Sequence, residues 1–190
     1  GFPKSKLLTP FPELRFTGSV TWGDQTWDVT DWLGMQGHNW GKQHALEYVW
    51  GQVLFGGADG QTVAMAEAFS GKIKLGPVTT PFISALTVRR GDRVYRFDRL
   101  ADLWRQSVVV NDMRWTATFR GSDGEAMLSM RANANEMVCL GYHNPDGALS
   151  YCLNSKIARA ELRVNPTNDE GFRCESPHGG ALEFLRRTPD

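Results

Sequence analysis

Clusters of Gly, Asp and Asn recur along this chain and cut it into short runs, and within each run apolar residues alternate with polar or small ones. A spacing of about 8 to 12 residues per run is the pattern of antiparallel β structure, because successive strand side chains point to opposite faces. Helical periodicity is scarce. The pattern predicts strands at 15–20, 25–29, 47–55, 62–69, 84–89, 93–97, 114–120, 126–132, 137–142, 149–153, 156–164 and 180–185. Gly56-Gly57-Ala58-Asp59-Gly60, Arg90-Gly91-Asp92, Gly121-Ser122-Asp123-Gly124 and Asn144-Pro145-Asp146-Gly147 have the composition of hairpin turns. Successive hairpins predict an all-β, closed or nearly closed antiparallel barrel, since closure removes exposed strand edges.

A chain of 190 residues with 41% hydrophobic content can bury one core without metal or disulfide staples. Pro10, Pro12 and the polar start predict an extended lead-in or linker over 1–14, leaving 15–190 as a single barrel domain. Lys+Arg and Asp+Glu both number 21, so charge offers nothing to draw nucleic acid or an anionic membrane, and binding must come from a local pocket. Cys139, Cys152 and Cys174 are odd in number and irregular in spacing, which predicts reduced, buried thiols. No window approaches the ~20 apolar residues of a membrane span, and a cytoplasmic location is expected. Gly1 is not an initiator methionine, so sequence upstream could carry a signal or another domain.

The densest chemistry lies at 34–50, where His38, Trp40, His44, Tyr48 and Trp50 fall together in a chain with four histidines. In the strand that follows, Tyr48, Trp50, Gln52 and Leu54 share one face. In its hairpin partner, Val63, Met65, Glu67 and Phe69 share a face opposite Thr62, Ala64, Ala66 and Ala68, so Glu67 stands among apolar neighbours. Desolvation would raise its carboxyl pKa and make it a proton donor near neutral pH. A carboxylate pinned by Arg or His at a barrel mouth, or a solvent-facing surface, would give the same pattern. His38 and Trp40 share a face if extended, and a π-face beside a proton donor suits a carbocation-like intermediate. Zinc binding through His38 and His44 lacks a third ligand at motif spacing, so neither metal nor cofactor is expected. Tyr142, His143, Tyr151 and Asn154 bracket a turn and are candidates for the same mouth, or for satisfying that turn alone. Trp22, Trp27, Trp32, Trp104 and Trp115 are expected in the core or at the barrel ends. Walker, Rossmann and Gly-x-Ser-x-Gly motifs are absent, which disfavours nucleotide enzymes and ordinary serine hydrolases.

Gly37-His38-Asn39-Trp40-Gly41, the Glu67 strand, Tyr151-Cys152-Leu153-Asn154-Ser155-Lys156 and Ala181-Leu182-Glu183-Phe184 together resemble the lipocalin-like superfamily of carotenoid 1,2-hydratases (hydroxyneurosporene synthases). Tocopherol cyclases and fungal decalin-forming Diels–Alderases are more distant members. The resemblance is specific around 38–50 and a matter of pattern elsewhere. It implies a lipocalin-like β-barrel, the C-terminal one of two, that holds a small hydrophobic molecule of isoprenoid or polyketide type and hydrates or cyclises it without a cofactor. In the hydratases a His-x-Trp motif is followed by Tyr-x-Asp. Here His38 and Trp40 match the first motif, while Met65 and Glu67 occupy the second, keeping the acid and losing the tyrosine. The roles implied are proton donor for Glu67, its partner or water-activating base for His38, and cation stabiliser for Trp40. Tyr48, Trp50, Met65, His44, Tyr151 and Asn154 would line the cavity. Partnership with a second copy, or with a missing N-terminal lipocalin-like domain, follows from the same resemblance. A non-catalytic carrier and a structural half-barrel are the alternatives.

Overall fold

The structure, a computed structural model, describes residues 5–41, 44–57, 60–75 and 77–187. In chain order its strands are β1 (Ser5–Trp22), β2 (Gln25–Gly41), β3 (Glu47–Gly56), β4 (Thr62–Lys72), β5 (Lys74–Leu75), β6 (Val78–Thr79), β7 (Ile83–Arg90) and β8 (Arg93–Arg96). They continue with β9 (Ser107–Asn111), β10 (Arg114–Gly121), β11 (Gly124–Arg131), β12 (Val138–His143), β13 (Leu149–Pro166) and β14 (Phe172–Arg186), and a 3-10 turn, Ala134–Glu136, lies before β12. Two compact units result, Gly1–Lys42 and Gln43–Asp190. The division falls after residue 42 and not at residue 14, because β1 already runs from Ser5. Register shifts between Leu8 and Phe11 and between Phe11 and Leu14 absorb extra residues around Pro10 and Pro12. Proline is tolerated in a strand at such bulges.

The first unit is the antiparallel hairpin of β1 and β2, turned at Gly23-Asp24, with Gly23 at φ +58. Cross-strand partners share a face, and the pairs Phe16–Trp32, Val20–Trp27 and Leu8–His38 place the large apolar residues together. A bulge on β2 maintains this: Asp31 takes φ +57, its side chain and carbonyl accept from Arg15 Nη1 at 3.1 Å each, and its N–H donates to Thr17 Oγ1. Leu8, Phe11, Leu14, Phe16, Val20, Trp22, Trp27, Val29, Trp32 and Trp40 therefore lie on one face. Arg15, Thr17, Ser19, Thr21, Thr26 and Asp28 lie on the other.

The second unit is built on a ten-stranded antiparallel sheet in the order β8-β7-β4-β3-β14-β13-β11-β10-β9, with β12 added to the first part of β13, and β5 and β6 pair with each other beside it in sequence. Its inner face is packed by Val49, Val53, Phe55, Ala66, Leu86, Phe97, Trp115, Phe119, Leu128, Met130, Leu162 and Leu182. The alanines of β4 leave room for the larger rings opposite, and a Cβ on Gly51 would meet Met130 Sδ and come within 3.1 Å of Trp115. The sheet curls until Phe97, just past β8, meets Phe119 of β10 at 6.5 Å between ring centroids. Side chains lace this seam. Asp123, in the β10–β11 turn, accepts from the Arg96 N–H at 2.8 Å and pairs with Arg99 at 3.5 Å, while Gln106 Oε1 accepts from the Arg120 N–H at 2.7 Å.

Several sequence expectations are corrected here. Of the five tryptophans expected in the core or at the barrel ends, Trp115 is fully buried and Trp104 is exposed in the segment between β8 and β9, whereas Trp22, Trp27 and Trp32 are exposed on the hairpin, Trp22 by 79%. A tryptophan in a two-stranded ribbon has no second layer to bury it. Cys152 is buried, Cys174 half-buried and Cys139 exposed, all three as free thiols. The runs 149–153 and 156–164 form a single bent strand, and 107–111 is a strand that alternation alone did not single out. Of the expected turn at 56–60, Ala58 and Asp59 lie outside the described residues.

Candidate functional site

The pairing register builds one row of side chains across four strands. Phe69 of β4 lies opposite Trp50 of β3, Trp50 opposite Glu183 of β14, and Glu183 opposite Asn154 of β13. Glu67 follows Phe69 by two residues and so shares its face. This is the outer face of the sheet: Val49, Gly51 and Val53 point into the core, while Tyr48, Trp50 and Gln52 point away from it. The expectation that these side chains line a barrel interior is corrected by that parity. β3 and β4 give their apolar, small-residue faces to the core and their aromatic and polar faces to the outside.

Trp50 Nε1 donates to Glu67 Oε1 at 3.0 Å, which fixes the half-buried carboxyl beside the indole edge. On the other flank, Glu183 accepts from Asn154 Nδ2 at 2.7 Å and from Lys156 Nζ at 3.0 Å through one oxygen, and from the Tyr48 hydroxyl at 3.4 Å through the other. Lys156 Nζ also stands 5.7 Å from the centre of the Trp50 ring. Trp50 is thus bracketed by two carboxyls and a cation. Met65 lies buried on the Glu67 face.

Below this row, Tyr48, Cys152 and Leu185 form a small buried cluster with Trp50, Phe69 and Tyr142 packed against it. Burial, reinforced by Cys152 and Glu183, drives the Tyr48 phenol far above its ordinary value. Burial is also the main cause that pushes Tyr142 up to about 12 and the Cys152 thiol up to about 11, with Cys152 and Glu183 adding to the first and Glu183 to the second. Both phenols and the thiol stay protonated at neutral pH, so Cys152 offers no thiolate nucleophile.

The remaining sequence candidates fall elsewhere. His38 and Trp40 belong to the hairpin unit, where their rings stack at 4.9 Å and 28° and Lys6 Nζ stands 5.9 Å from the Trp40 ring. Both side chains are exposed. His44 serves the β12–β13 turn: its N–H and Nδ1 both contact Asn144 Oδ1, at 3.1 and 2.8 Å, and its ring stacks on Tyr142 at 5.5 Å. Tyr151 alternates to the face opposite Cys152 and Asn154 and so is not on the Glu67 face. Among the described residues, no three His, Cys, Asp or Glu side chains come together as a metal site. The residue missed from sequence is Glu183. Its signal was available, because a carboxylate between Leu182 and Phe184 alternates with two core residues as Glu67 alternates with Ala66 and Ala68.

No family model matches the chain. Two uncharacterized Mycobacterium tuberculosis proteins, MT0513 of strain CDC 1551 / Oshkosh and Rv0493c of strain H37Rv, are each 26% identical to it over 153 residues. That match covers 80% of this chain and 45% of theirs, so the chain spans about half the length of the curated relatives it matches. Among solved structures, kievitone hydratase from Nectria haematococca is similar with a TM-score of 0.52 and 12% identity, over 93% of this chain and 52% of that one. The strand order, the curl and this likeness define an all-β, antiparallel, lipocalin-like β-barrel. Among the described residues no helix is long and apolar enough to cross a membrane.

Proposed function

We propose that the outer face around Trp50 takes a small apolar molecule of isoprenoid or polyketide type, and that Glu67 protonates it in a cofactor-free hydration or cyclisation. The observation that carries this is the Trp50 Nε1 to Glu67 Oε1 hydrogen bond, which holds a carboxyl in one orientation beside the apolar Met65 and Phe69. In its protonated form Glu67 gives its proton to an alkene carbon, leaving a cation. Water then adds to that cation and returns a proton to the carboxylate, or a second double bond closes on it and a carbon-bound proton is lost to the same base. The Trp50 ring already stands beside the Lys156 ammonium, and a π-face of that kind stabilises positive charge. Glu183 supplies a counter-charge on the same row. The shared fold with a protein named as a hydratase supports the reaction class.

Native mass spectrometry of freshly purified protein identifies the co-purified molecule, which is then the assay substrate. Glu67→Gln should lower turnover by about 100-fold or more while ligand affinity stays within about threefold. Unchanged turnover removes Glu67 from the mechanism. One observation favours a second function, that of a structural half-barrel: the inner face is filled by fully buried rings such as Phe55, Trp115 and Phe119. Protein that carries no ligand, and binds none when offered apolar alkenes, would decide for it.

A further inference from the structure

The hairpin holds a surface that the proposed chemistry does not use. Phe11, Phe16, Trp22, Trp27, Trp32 and Trp40 lie on one face of β1 and β2 and stay between 41% and 79% exposed. Three register shifts in β1 and β2, one of them made by Asp31 in a left-handed conformation, keep these side chains on the same side. Without the bulges, half of them would point the other way. A two-stranded hairpin is at best marginally stable by itself, so a ribbon this long with one apolar face calls for a second layer.

We propose that this face docks on its own counterpart in a second copy of the chain, two-fold and face to face. Two observations favour this occupant. First, the exposed parts of these aromatics and of Leu8 and Val20 amount to roughly 700–1,000 Å² at typical side-chain areas, against about 800 Å² per partner in a standard interface. Second, the ladder-paired residues of this face carry no charge from Leu14 to Trp22 or from Gln25 to Gly34, so a two-fold axis through it brings no like charges together. An anionic lipid surface is disfavoured, because residues 1–42 hold four Lys/Arg (Lys4, Lys6, Arg15, Lys42) and four Asp/Glu (Glu13, Asp24, Asp28, Asp31).

Sedimentation equilibrium of the unmodified chain over about 1 to 100 µM should show a reversible dimer, with tryptophan emission shifting to the blue as concentration rises. The double variant Trp22→Lys/Trp32→Lys should raise the dissociation constant by about 100-fold or more, while Thr21→Lys/Thr26→Lys on the opposite face should change it by less than about threefold. The proposal is overturned if the unmodified chain stays monomeric with constant emission, if the dimer survives Trp22→Lys/Trp32→Lys, or if both variants weaken it equally. Binding to neutral phosphatidylcholine vesicles in place of self-association would overturn it as well.

Discussion

Trp115 and Trp22 sit on strands of the same kind, each alternating cleanly with polar neighbours, yet one is fully buried and the other 79% exposed. In the barrel, ten strands curl until the apolar face of each meets the others. In the hairpin, two strands make an equally apolar face with no second layer from the same ribbon. Alternation therefore specifies which side chains share a face. How many strands join the sheet specifies whether that face is dry.

This contrast can be broken most forcefully at its two tryptophans. Trp115→Ala should cost about 3–5 kcal/mol of barrel stability through the cavity it leaves, whereas Trp22→Ala should stay within about 0.5 kcal/mol at concentrations where the chain is monomeric. Urea denaturation measures both, and equal losses would erase the distinction. Next comes the seam. Asp123→Ala removes the acceptor of the Arg96 N–H and should cost about 1 kcal/mol, visible as faster amide exchange in β8 ahead of β3 or β14. Uniform exchange would mean that the seam is not where the barrel loosens. The finest effect is in pH. The Cys152 thiol is raised in the folded state from 9.0 to about 11, so its contribution is complete below pH 9 and is lost as pH rises through about 11. Cys152→Ala should flatten the onset of that alkaline decline, with Tyr142, raised to about 12, still contributing above it. An unaltered pH profile would assign the decline to other groups.

Most of the strand pattern, the turns at 90–92, 121–124 and 144–147 and the odd position of Glu67 came through in the sequence because each depends on local alternation or turn composition. Closure depends instead on what meets at the seam, where Asp123, Arg96, Arg99 and Gln106 look like ordinary loop residues. The site followed the same division. Tyr48, Trp50, Met65 and Glu67 were placed on common faces correctly, but which of the two faces is the core is set by Met130 and Trp115 packing onto Gly51, from strands about 80 and 65 residues away. His44 and Tyr151 were grouped with Glu67 by nearness in sequence or by composition. Their real surroundings follow from a turn contact with Asn144 and from strand parity.

The irregularity in β13 reaches beyond this one chain. Between Ser155 and Ala158 the strand carries one residue more than β14, and this surplus lets Cys152, Asn154 and Lys156 face outward while Ala158, Ala160 and Leu162 face the core. Losing either Lys156 or Ile157 would invert half of the strand. Among descendants of such a chain, length should drift freely in the 167–171 loop and hardly at all across these two positions. Gap placement at 156–157 would then be a more dependable mark of shared ancestry than identity at any single residue.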